Sequence, residues 1–225
     1  MKILKRILLL IVIGAAAVAS LVVWQGYQMY RDAVEQMSVE EKAEEIMGKE
    51  NYTAFDQLPQ TYVNAVIAAE DRRFRYHNGF DIISTTRAAW RNIQSKEIVE
   101  GGSTITQQLG RLMYFSQEKK YTRKVAEILV AWQIEKLYDK DKILELYVNT
   151  IYFGSGYYSV YDASMGYFGK KPSEMNEYEC TMLAGIPNAP SVYSPDVNPA
   201  LAEERRQQVL ACMAEAGYIQ PGEIE

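Results

Sequence analysis

Histidine and cysteine are scarce in this chain of 225 residues, which has one of the first and two of the second. The single histidine, His77, excludes an internal zinc site built on histidines and leaves one position for a histidine general base. Cys180 and Cys212 form no C-x-x-C pair and no Cys/His cluster with the spacing of metal ligands. We expect both to pack as small buried hydrophobic residues, while one disulfide between them stays open.

An excess of positive charge is also missing. Lysine and arginine total 24 against 29 for aspartate and glutamate, which gives a net charge of −5. General nucleic-acid binders depend on a basic excess that releases counterions, so nucleic acid is excluded as a partner and any cationic site must be local. Neither the phosphate loop G-x-x-x-x-G-K-[ST] nor the G-x-S-x-G elbow is present. An S-x-x-K match at residues 116–119 lacks its companion motifs, so serine acyl transfer is rejected.

A long apolar run lies near the start of the chain. Three basic residues within positions 1–6 precede an uncharged stretch over 7–24, close to the roughly 20 residues that span a bilayer. The positive-inside rule keeps the basic flank in the cytoplasm, which predicts a single-pass anchor in the cytoplasmic membrane and an extracytoplasmic domain. A cleaved signal peptide competes, because residues 17–19 read Ala-Val-Ala, but apolar character continues to Trp24 and favours an uncleaved anchor.

The rest of the chain is long enough for one sizeable domain and is predicted to be mainly α. A juxtamembrane segment, 25–54, is interpreted as containing a charged, solvated helix without chemistry, and the main domain is expected over 55–225. Apolar residues recur at helical spacing, whereas few segments alternate with period two. The predicted helices cover residues 62–74, 82–93, 103–114, 122–137, 140–151, 160–168, 178–186 and 199–216, with Asp139 and Ser173 as N-caps.

Glu70 is the first candidate for chemistry. It closes an apolar helix that could present its carboxyl group to a cleft, where desolvation raises the pKa toward that of a useful general acid or base. The competing interpretation is a solvated or arginine-paired glutamate at a helix end. His77, four residues before Asp81, is interpreted as a hydrogen-bonded structural histidine that fixes this loop.

A second candidate segment begins with a glycine pair at 101–102. Ser103 or Thr104, which follow, could cap a helix whose free N–H groups suit an anion. The apolar residues 112–115 are interspersed with cationic residues beyond them, a combination that suits an amphiphile with a lipid tail and an anionic head. The alternative is a core helix followed by solvated charges. The charged residues are Arg111, Lys119, Lys120, Arg123 and Lys124, followed by Glu127.

Five motifs follow one another at compatible spacing, a signal far more specific than any one of them. They are E-D-x-x-F-x-x-H-x-G-x-D at 70–81, G-G-S-T-I-T-Q-Q at 101–108, R-K-x-x-E at 123–127, K-x-x-I-L-E-x-Y-x-N at 140–149, and I-Y-F-G at 151–154 with Y-F-G at 167–169. Together they resemble the peptidoglycan glycosyltransferase domain, glycosyltransferase family 51, over about residues 55–218.

The resemblance implies a lysozyme-like helical fold with a small membrane-associated subdomain that would include residues 112–115. It implies polymerisation of lipid II, in which an acceptor 4-hydroxyl attacks C1 of the donor, polyprenyl diphosphate leaves, and an α-linked donor becomes a β-1,4 link. Glu70 matches the general base. Glu127 matches a second essential carboxylate, which could orient cationic groups or act through a divalent cation, Mg²⁺ or Mn²⁺; no tightly bound cofactor is expected. The implied substrate contacts are Asp71, Ser103, Thr104, Gln107, Gln108, Arg111, Lys119, Arg123, Lys124, Asn188 and Arg205.

Three positions depart from the usual pattern of that family. Arg111 stands where lysine is usual and Lys119 where arginine is usual, so charge is kept while the phosphate geometry differs, because guanidinium binds bidentately and ammonium acts as a point charge. Ser159 stands where glycine is usual and is expected to be a tolerated turn substitution.

The expected protein is a monofunctional glycosyltransferase, since no transpeptidase domain follows; a truncated bifunctional protein is the alternative. Its expected partners are lipid II, the growing lipid-linked glycan, the cytoplasmic membrane and cell-wall synthesis proteins. Two other functions stay open: a lysozyme-like peptidoglycan hydrolase with Glu70 as general acid, and an inactive cell-wall scaffold. Cationic residues beside an apolar patch favour the polymerase over the hydrolase, and the intact Glu70 and Glu127 argue against the scaffold.

Overall fold

The computed structural model describes residues 2–95, 101–116 and 121–220. Every regular element in these ranges is helical, and no strand occurs in them. The prediction of a mainly α chain is therefore confirmed.

The first helix, α1 (Lys2–Gln36), joins the apolar run to the charged segment without a break. Its 35 residues extend about 50 Å at 1.5 Å per residue. The stretch Ile3–Gln36 is long and apolar enough to cross a membrane, and none of its most apolar window is buried against the rest of the protein. The structure thus has the apolar helix that a single-pass anchor requires.

Helix α2 (Val39–Met47) follows α1 after a short bend and is only partly solvated. A capping box between Ser38 and Glu41 starts it. Its charged face is exposed, but Val39, Ala43 and Ile46 are buried in the core, which the prediction of a solvated helix did not include. The domain boundary placed at residue 55 stays a prediction.

Nine further helices follow in the described residues; eight of them agree with the predicted segments to within a few residues, and the four-residue helix at Pro190–Tyr193 was not predicted. The predicted helix 62–74 ends early because Asp71 leaves helical geometry, with φ −157° and ψ 76°. Asp139 is confirmed as an N-cap, whereas Ser173 lies inside a 3-10 turn and Asn176 caps the next helix. The helices are α3 (Gln60–Glu70), α4 (Ile82–Ser95), α5 (Ile105–Tyr114), α6 (Tyr121–Leu137), α7 (Lys140–Val148), α8 (Val160–Phe168), α9 (Glu177–Gly185), α10 (Pro190–Tyr193) and α11 (Pro199–Glu215), with 3-10 turns at Phe55–Gln57, Phe74–Tyr76, Pro172–Glu174 and Ile186–Asn188.

Helix α3 lies at the centre of the core, where it packs against α9 and α11, while α5 packs against α6 and α7. Tyr62, Phe74 and Leu109 are among the largest side chains that are almost completely buried. Cys180 is buried as predicted, but Cys212 is only partly buried, and the two form no disulfide. This packing fixes the C-terminus of α3 beside the N-terminus of α5.

The motif at 140–149 fastens the segment before α3 to helix α7. Glu145 accepts hydrogen bonds from the Phe55 amide, at 2.6 Å, and from the Tyr52 hydroxyl. Asn149, which is buried, accepts from the Thr53 amide at 2.9 Å and donates to the Thr53 carbonyl at 2.8 Å. These side chains satisfy backbone groups of a buried segment that has no regular structure of its own.

Replacement of Asn149 by alanine should therefore destabilise the fold. Asn149→Ala leaves two buried backbone groups of Thr53 without their partners, and we expect a loss of about 2–4 kcal/mol in the free energy of unfolding. Chemical denaturation of the full chain measures it. Thr150→Ala removes a hydroxyl that bonds only the nearby Leu146 carbonyl and serves as the control. Equal losses in the two variants would contradict the role given to Asn149.

Candidate active site

A cleft of about 560 Å³ lies where the C-terminus of α3 meets the loop at 101–104, α4, α5, the turn Ile186–Asn188 and α11. The packing of α3 against α11 places Glu70 on one wall and the glycine loop on the other. Residues of its lining that bear on chemistry are Glu70, Ser103, Gln108, Arg111, Asn188 and Arg205. With Asp71 and Thr104, which also line it, the structure brings eight of the predicted site residues to one cavity.

Glu70 has the environment of a catalytic base. Its Oε2 accepts a hydrogen bond from Nε2 of Gln108 at 2.8 Å, while its buried Oε1 has no hydrogen-bond partner among the described residues. Burial raises the pKa of the Glu70 carboxyl group, and the Gln108 hydrogen bond and the positive charges of Arg205 and Arg111 oppose that rise. A carboxylate of raised pKa with a free oxygen can accept a proton from a bound hydroxyl.

Tyr147 orients the amide that holds Glu70. Its buried hydroxyl donates to Oε1 of Gln108 at 3.3 Å, so the NH₂ group of that amide faces the Glu70 carboxylate. In the sequence, Tyr147 stands out only as the tyrosine of the motif at 140–149. It supports the charged form of Glu70 from α7, without lining the cleft.

Tyr147→Phe should move the pH dependence of activity. Loss of the hydroxyl lets the Gln108 amide turn and weakens its support of the carboxylate, so the pKa of Glu70 rises further. Because Glu70 acts as a base only above its pKa, the acidic limb of kcat/KM should move to higher pH, by about half a unit. Tyr62→Phe is the control, since Tyr62 is also buried near Glu70 but makes no bond to Gln108. Identical pH profiles for the two variants would contradict the orienting role.

Asp71 serves structure more than substrate. Its Oδ2 accepts from the Ile105 amide at 3.0 Å and lies 2.8 Å from Nε2 of His77. His77 is thus a hydrogen-bonded structural histidine as interpreted, with Asp71 as its partner. Asp81 instead pairs with Arg73 and accepts from amides at the start of α4. Asp71 lines the cleft, but its described bonds tie the end of α3 to the start of α5.

Some polar residues of the glycine-rich motif stabilise the start of α5, and others line the cleft. Thr104 caps α5 in a capping box with Gln107, and its hydroxyl also donates to the Gly79 carbonyl at 2.7 Å. Gln107 is completely buried and lies outside the cleft lining, so it acts through the geometry of α5. Ser103, Thr104 and Gln108 face the cavity.

Glu127 is buried and lies in a cluster of charges on α6 with the partly exposed Arg123 and Lys124. Its Oε1 is 2.8 Å from Nε of Arg123, outside hydrogen-bond geometry, and its Oε2 accepts from Nζ of Lys124 at 3.0 Å. Lys124 also donates to Oγ of Ser103 at 2.7 Å, which connects the cluster to the cleft wall. Lys119, the remaining predicted cationic contact, lies outside the described residues.

Comparison with known proteins agrees with this geometry. The family model described as transglycosylase matches residues 35–214. The chain belongs to the transglycosylase family of peptidoglycan glycosyltransferases. It is 45% identical over 175 residues to a putative transglycosylase of Cupriavidus necator, which covers 78% of this chain and 75% of the relative.

Two longer relatives share the same region. Penicillin-binding protein 1A of Aquifex aeolicus is 45% identical over 177 residues, 79% of this chain and 24% of that protein. Penicillin-binding protein 1F of Bacillus subtilis is 43% identical over 166 residues, 74% of this chain and 23% of that protein. The chain therefore spans about a quarter of the length of these relatives.

The transglycosylase cleft carries more positive charge than the motifs predicted. Arg111 has a buried Nε without a hydrogen-bond partner in the described part of the chain, and Arg205 bonds the Gly185 carbonyl from α11. Arg72, Arg87 and Arg91 line the same cavity but were missed. Arg87 and Arg91 could have been found from their spacing with Ser84. The three residues stand at i, i+3 and i+7, which places them on one face of α4.

The membrane-facing role of residues 112–115 stays a prediction. Met113 is buried and its neighbours are partly buried against the core, where the Tyr114 hydroxyl donates to the Met37 carbonyl at 3.0 Å. An exposed apolar surface also lies on α4, on a side next to its cleft-facing residues. It consists of Ile82, Ile83, Trp90 and Ile93, all of them more than half exposed.

A divalent cation finds no prepared carboxylate cage in the parts of the chain that are described, which contain no group of three or more potential ligands. Glu127 faces two cationic side chains, an arrangement that disfavours a second cation beside it. Its geometry fits the orienting role better than metal binding. Ser159, the third departure from the family pattern, caps α8 by accepting from the Asp162 amide at 3.0 Å.

Proposed function

We propose that this transglycosylase polymerises lipid II into β-1,4-linked glycan strands with inversion at the donor C1 and release of polyprenyl diphosphate. The observation that carries the proposal is Glu70, a carboxylate of raised pKa with an unpartnered oxygen in a cleft lined by arginines. Family membership supports the reaction class, and the cleft supports the roles of the residues.

On the acceptor side, Glu70 removes the proton of the attacking 4-hydroxyl. The hydroxyl oxygen forms its bond to the donor C1 from the face opposite the leaving group, which inverts the configuration. Gln108 holds the carboxylate in place through its 2.8 Å hydrogen bond, and Tyr147 holds Gln108. The proton ends on Glu70 and passes to solvent.

On the donor side, the leaving diphosphate oxygen takes the electron pair of the broken bond to C1, and positive charge stabilises it. Electrostatic stabilisation of this developing charge is commonly the largest catalytic contribution. Lys124 and Arg123 are held by Glu127 beside Ser103, and Arg111 supplies a guanidinium from α5. We include Lys119 from its sequence position, and Asn188 and Arg205 from the opposite wall.

We also propose that α1 anchors the protein in the cytoplasmic membrane with its N-terminus inside. The basic residues at positions 1–6 support this orientation through the positive-inside rule. The exposed apolar side chains of α4 support a cleft that opens close to the membrane, since neighbouring residues of the same helix line the cavity. The lipid chain of the substrate then stays in the bilayer while its diphosphate reaches the arginines.

A hydrolase would use the same carboxylate differently, and one assay separates the two. The full chain in vesicles is given labelled lipid II in one reaction and preformed glycan strands in another. The proposal expects polymer from lipid II and intact glycan in the second reaction. Shortened glycan without polymer would establish the hydrolase, and no change in either reaction would favour the scaffold.

A further inference from the structure

Helix α1 packs directly on α6 through a glycine. Gly26 is buried, and a Cβ atom added to it would lie 2.5 Å from Cβ of Val125 and 2.7 Å from the Thr122 carbonyl oxygen. Real Cβ contacts are essentially never that short, so only glycine fits at this approach. Gly14, on the same helix, has no atom within 4 Å of such a Cβ. The close approach is therefore specific to position 26.

A second contact fixes the same pair of helices one turn farther along α1. The Tyr30 hydroxyl donates to Oε1 of Gln133 on α6 at 2.8 Å. Gly26 and Tyr30 are four residues apart and share one face of α1. On α6, the contacts at Val125 and Gln133 are separated by about 12 Å at 1.5 Å per residue. Two points at this separation fix the angle of α1 against α6 as well as its distance.

Helix α6 has the transglycosylase charge cluster on its other side. At 100° per residue, Thr122, Val125 and Gln133 fall on one face, within a sector of about 80°. The cluster residues Arg123, Lys124 and Glu127 fall about 160° away from them. A single helix thus separates the apolar, membrane-crossing α1 from the charges that reach Ser103 and the cleft. A change in the angle between α1 and α6 changes the height of these charges above the bilayer.

We propose that Gly26 is a positioning residue, whose close packing on Val125 and Thr122 sets the depth of the charge cluster on α6 relative to the membrane. The role in catalysis rests on the proposed function, because it matters only for a substrate whose diphosphate lies at a fixed depth in the bilayer. A larger side chain at position 26 forces α1 and α6 apart there, since helix separation follows the side chains at the contact. With the Tyr30–Gln133 contact still made, α6 then tilts against α1. The charges then miss the plane of the diphosphate.

The test compares Gly26→Leu with Gly14→Leu in the full chain, with Gly26→Ala as a milder step. Each is assayed with lipid II in vesicles of phosphatidylethanolamine and phosphatidylglycerol, and with a short-chain lipid II analogue in detergent. We expect Gly26→Leu to lose about tenfold or more in vesicles, because small misplacements of reacting groups are costly, and to stay within about twofold of wild type in detergent. Gly26→Ala should fall between, and Gly14→Leu should match wild type in both formats.

Equal losses of Gly26→Leu in both formats would overturn the proposal, because the residue would then act on the fold of α6 rather than on its depth. Wild-type activity of Gly26→Leu in vesicles would overturn it as well, as would an equal loss in Gly14→Leu. Thermal unfolding of each variant checks that the domain is folded.

The positioning role of Gly26 can also be tested without measuring activity, so that its failure is distinguishable from a failure of the proposed function. Tyr121, at the start of α6, is highly exposed, so a fluorophore on Tyr121→Cys in a Cys212→Ser background reports the depth of α6 through quenching by lipid-bound nitroxides. We expect Gly26→Leu to change the ratio of shallow to deep quenching and Gly14→Leu to leave it unchanged. An unchanged ratio in Gly26→Leu contradicts the positioning role even if the wild type makes no polymer.

Discussion

Glu70→Gln should abolish polymer formation, with a loss of about a thousandfold or more in rate, and should leave the protein at least as stable as wild type. The amide cannot take the proton of the acceptor hydroxyl. The substitution also removes the free-energy cost of a buried charge. Burial raises the pKa of Glu70, so the folded state binds the proton more tightly than the unfolded state does. The stability of the wild type therefore falls as the pH rises from the unfolded-state pKa of Glu70 through its folded-state pKa. Initial rates on lipid II and thermal unfolding at pH 7 measure both effects.

Glu215→Gln is the matched control for this prediction. Glu215 lines the same cleft from α11, but its side chain is mostly exposed and pairs only with Arg72, at 3.3 Å. An exposed pair of this kind contributes little to stability. The control should keep wild-type activity. Substantial activity in Glu70→Gln, or an equal loss in Glu215→Gln, would contradict the assignment of the base.

Glu127→Gln should reduce activity about a hundredfold and lower the free energy of unfolding by about 2 kcal/mol. The carboxylate is buried and holds Arg123 and Lys124, and its loss leaves their charges without a counter-charge beside Ser103. The expected activity loss comes from misplaced cations at the leaving diphosphate. Steady-state kinetics on lipid II and denaturant unfolding measure the two losses.

Glu135→Gln separates the catalytic loss from the structural one. Glu135 lies on the same helix with a nearly buried side chain, bonded to Lys140 and Thr106 at 2.6 Å each. We expect a similar loss of stability without a comparable loss of activity. If both variants lose activity in proportion to stability, Glu127 has a structural role only.

The helices were predictable because each buries an apolar stripe with a period of 3.6 residues. Residues 160–168 and 199–216 illustrate this agreement, since their predicted limits match α8 and α11 to within one residue. Short 3-10 turns carry no such stripe, which explains the misplaced end of the helix after Glu70 and the misplaced cap at Ser173.

The residues of the site were predictable where a sequence motif specifies them. They were less predictable where packing between helices determines which side chains are exposed. Glu70, Gln108 and Ser103 meet in one cleft as the motifs implied. The apolar stretch at 112–115 gave no sign of whether it would face lipid or protein, because burial depends on the packing of its helix against the core. The contact between Gly26 and α6 joins segments about 100 residues apart, and nothing in the periodicity of either segment indicates it.

The central claim is that this cleft transfers a sugar from a lipid diphosphate to another sugar. The most direct measurement is one time course with lipid II labelled in both its sugar and its polyprenyl chain, in which new glycosidic links and released polyprenyl diphosphate are counted together. We expect equal numbers of links and diphosphates, with new links in the β configuration. Released diphosphate accompanied by free disaccharide, or retained α configuration in the links, would contradict it.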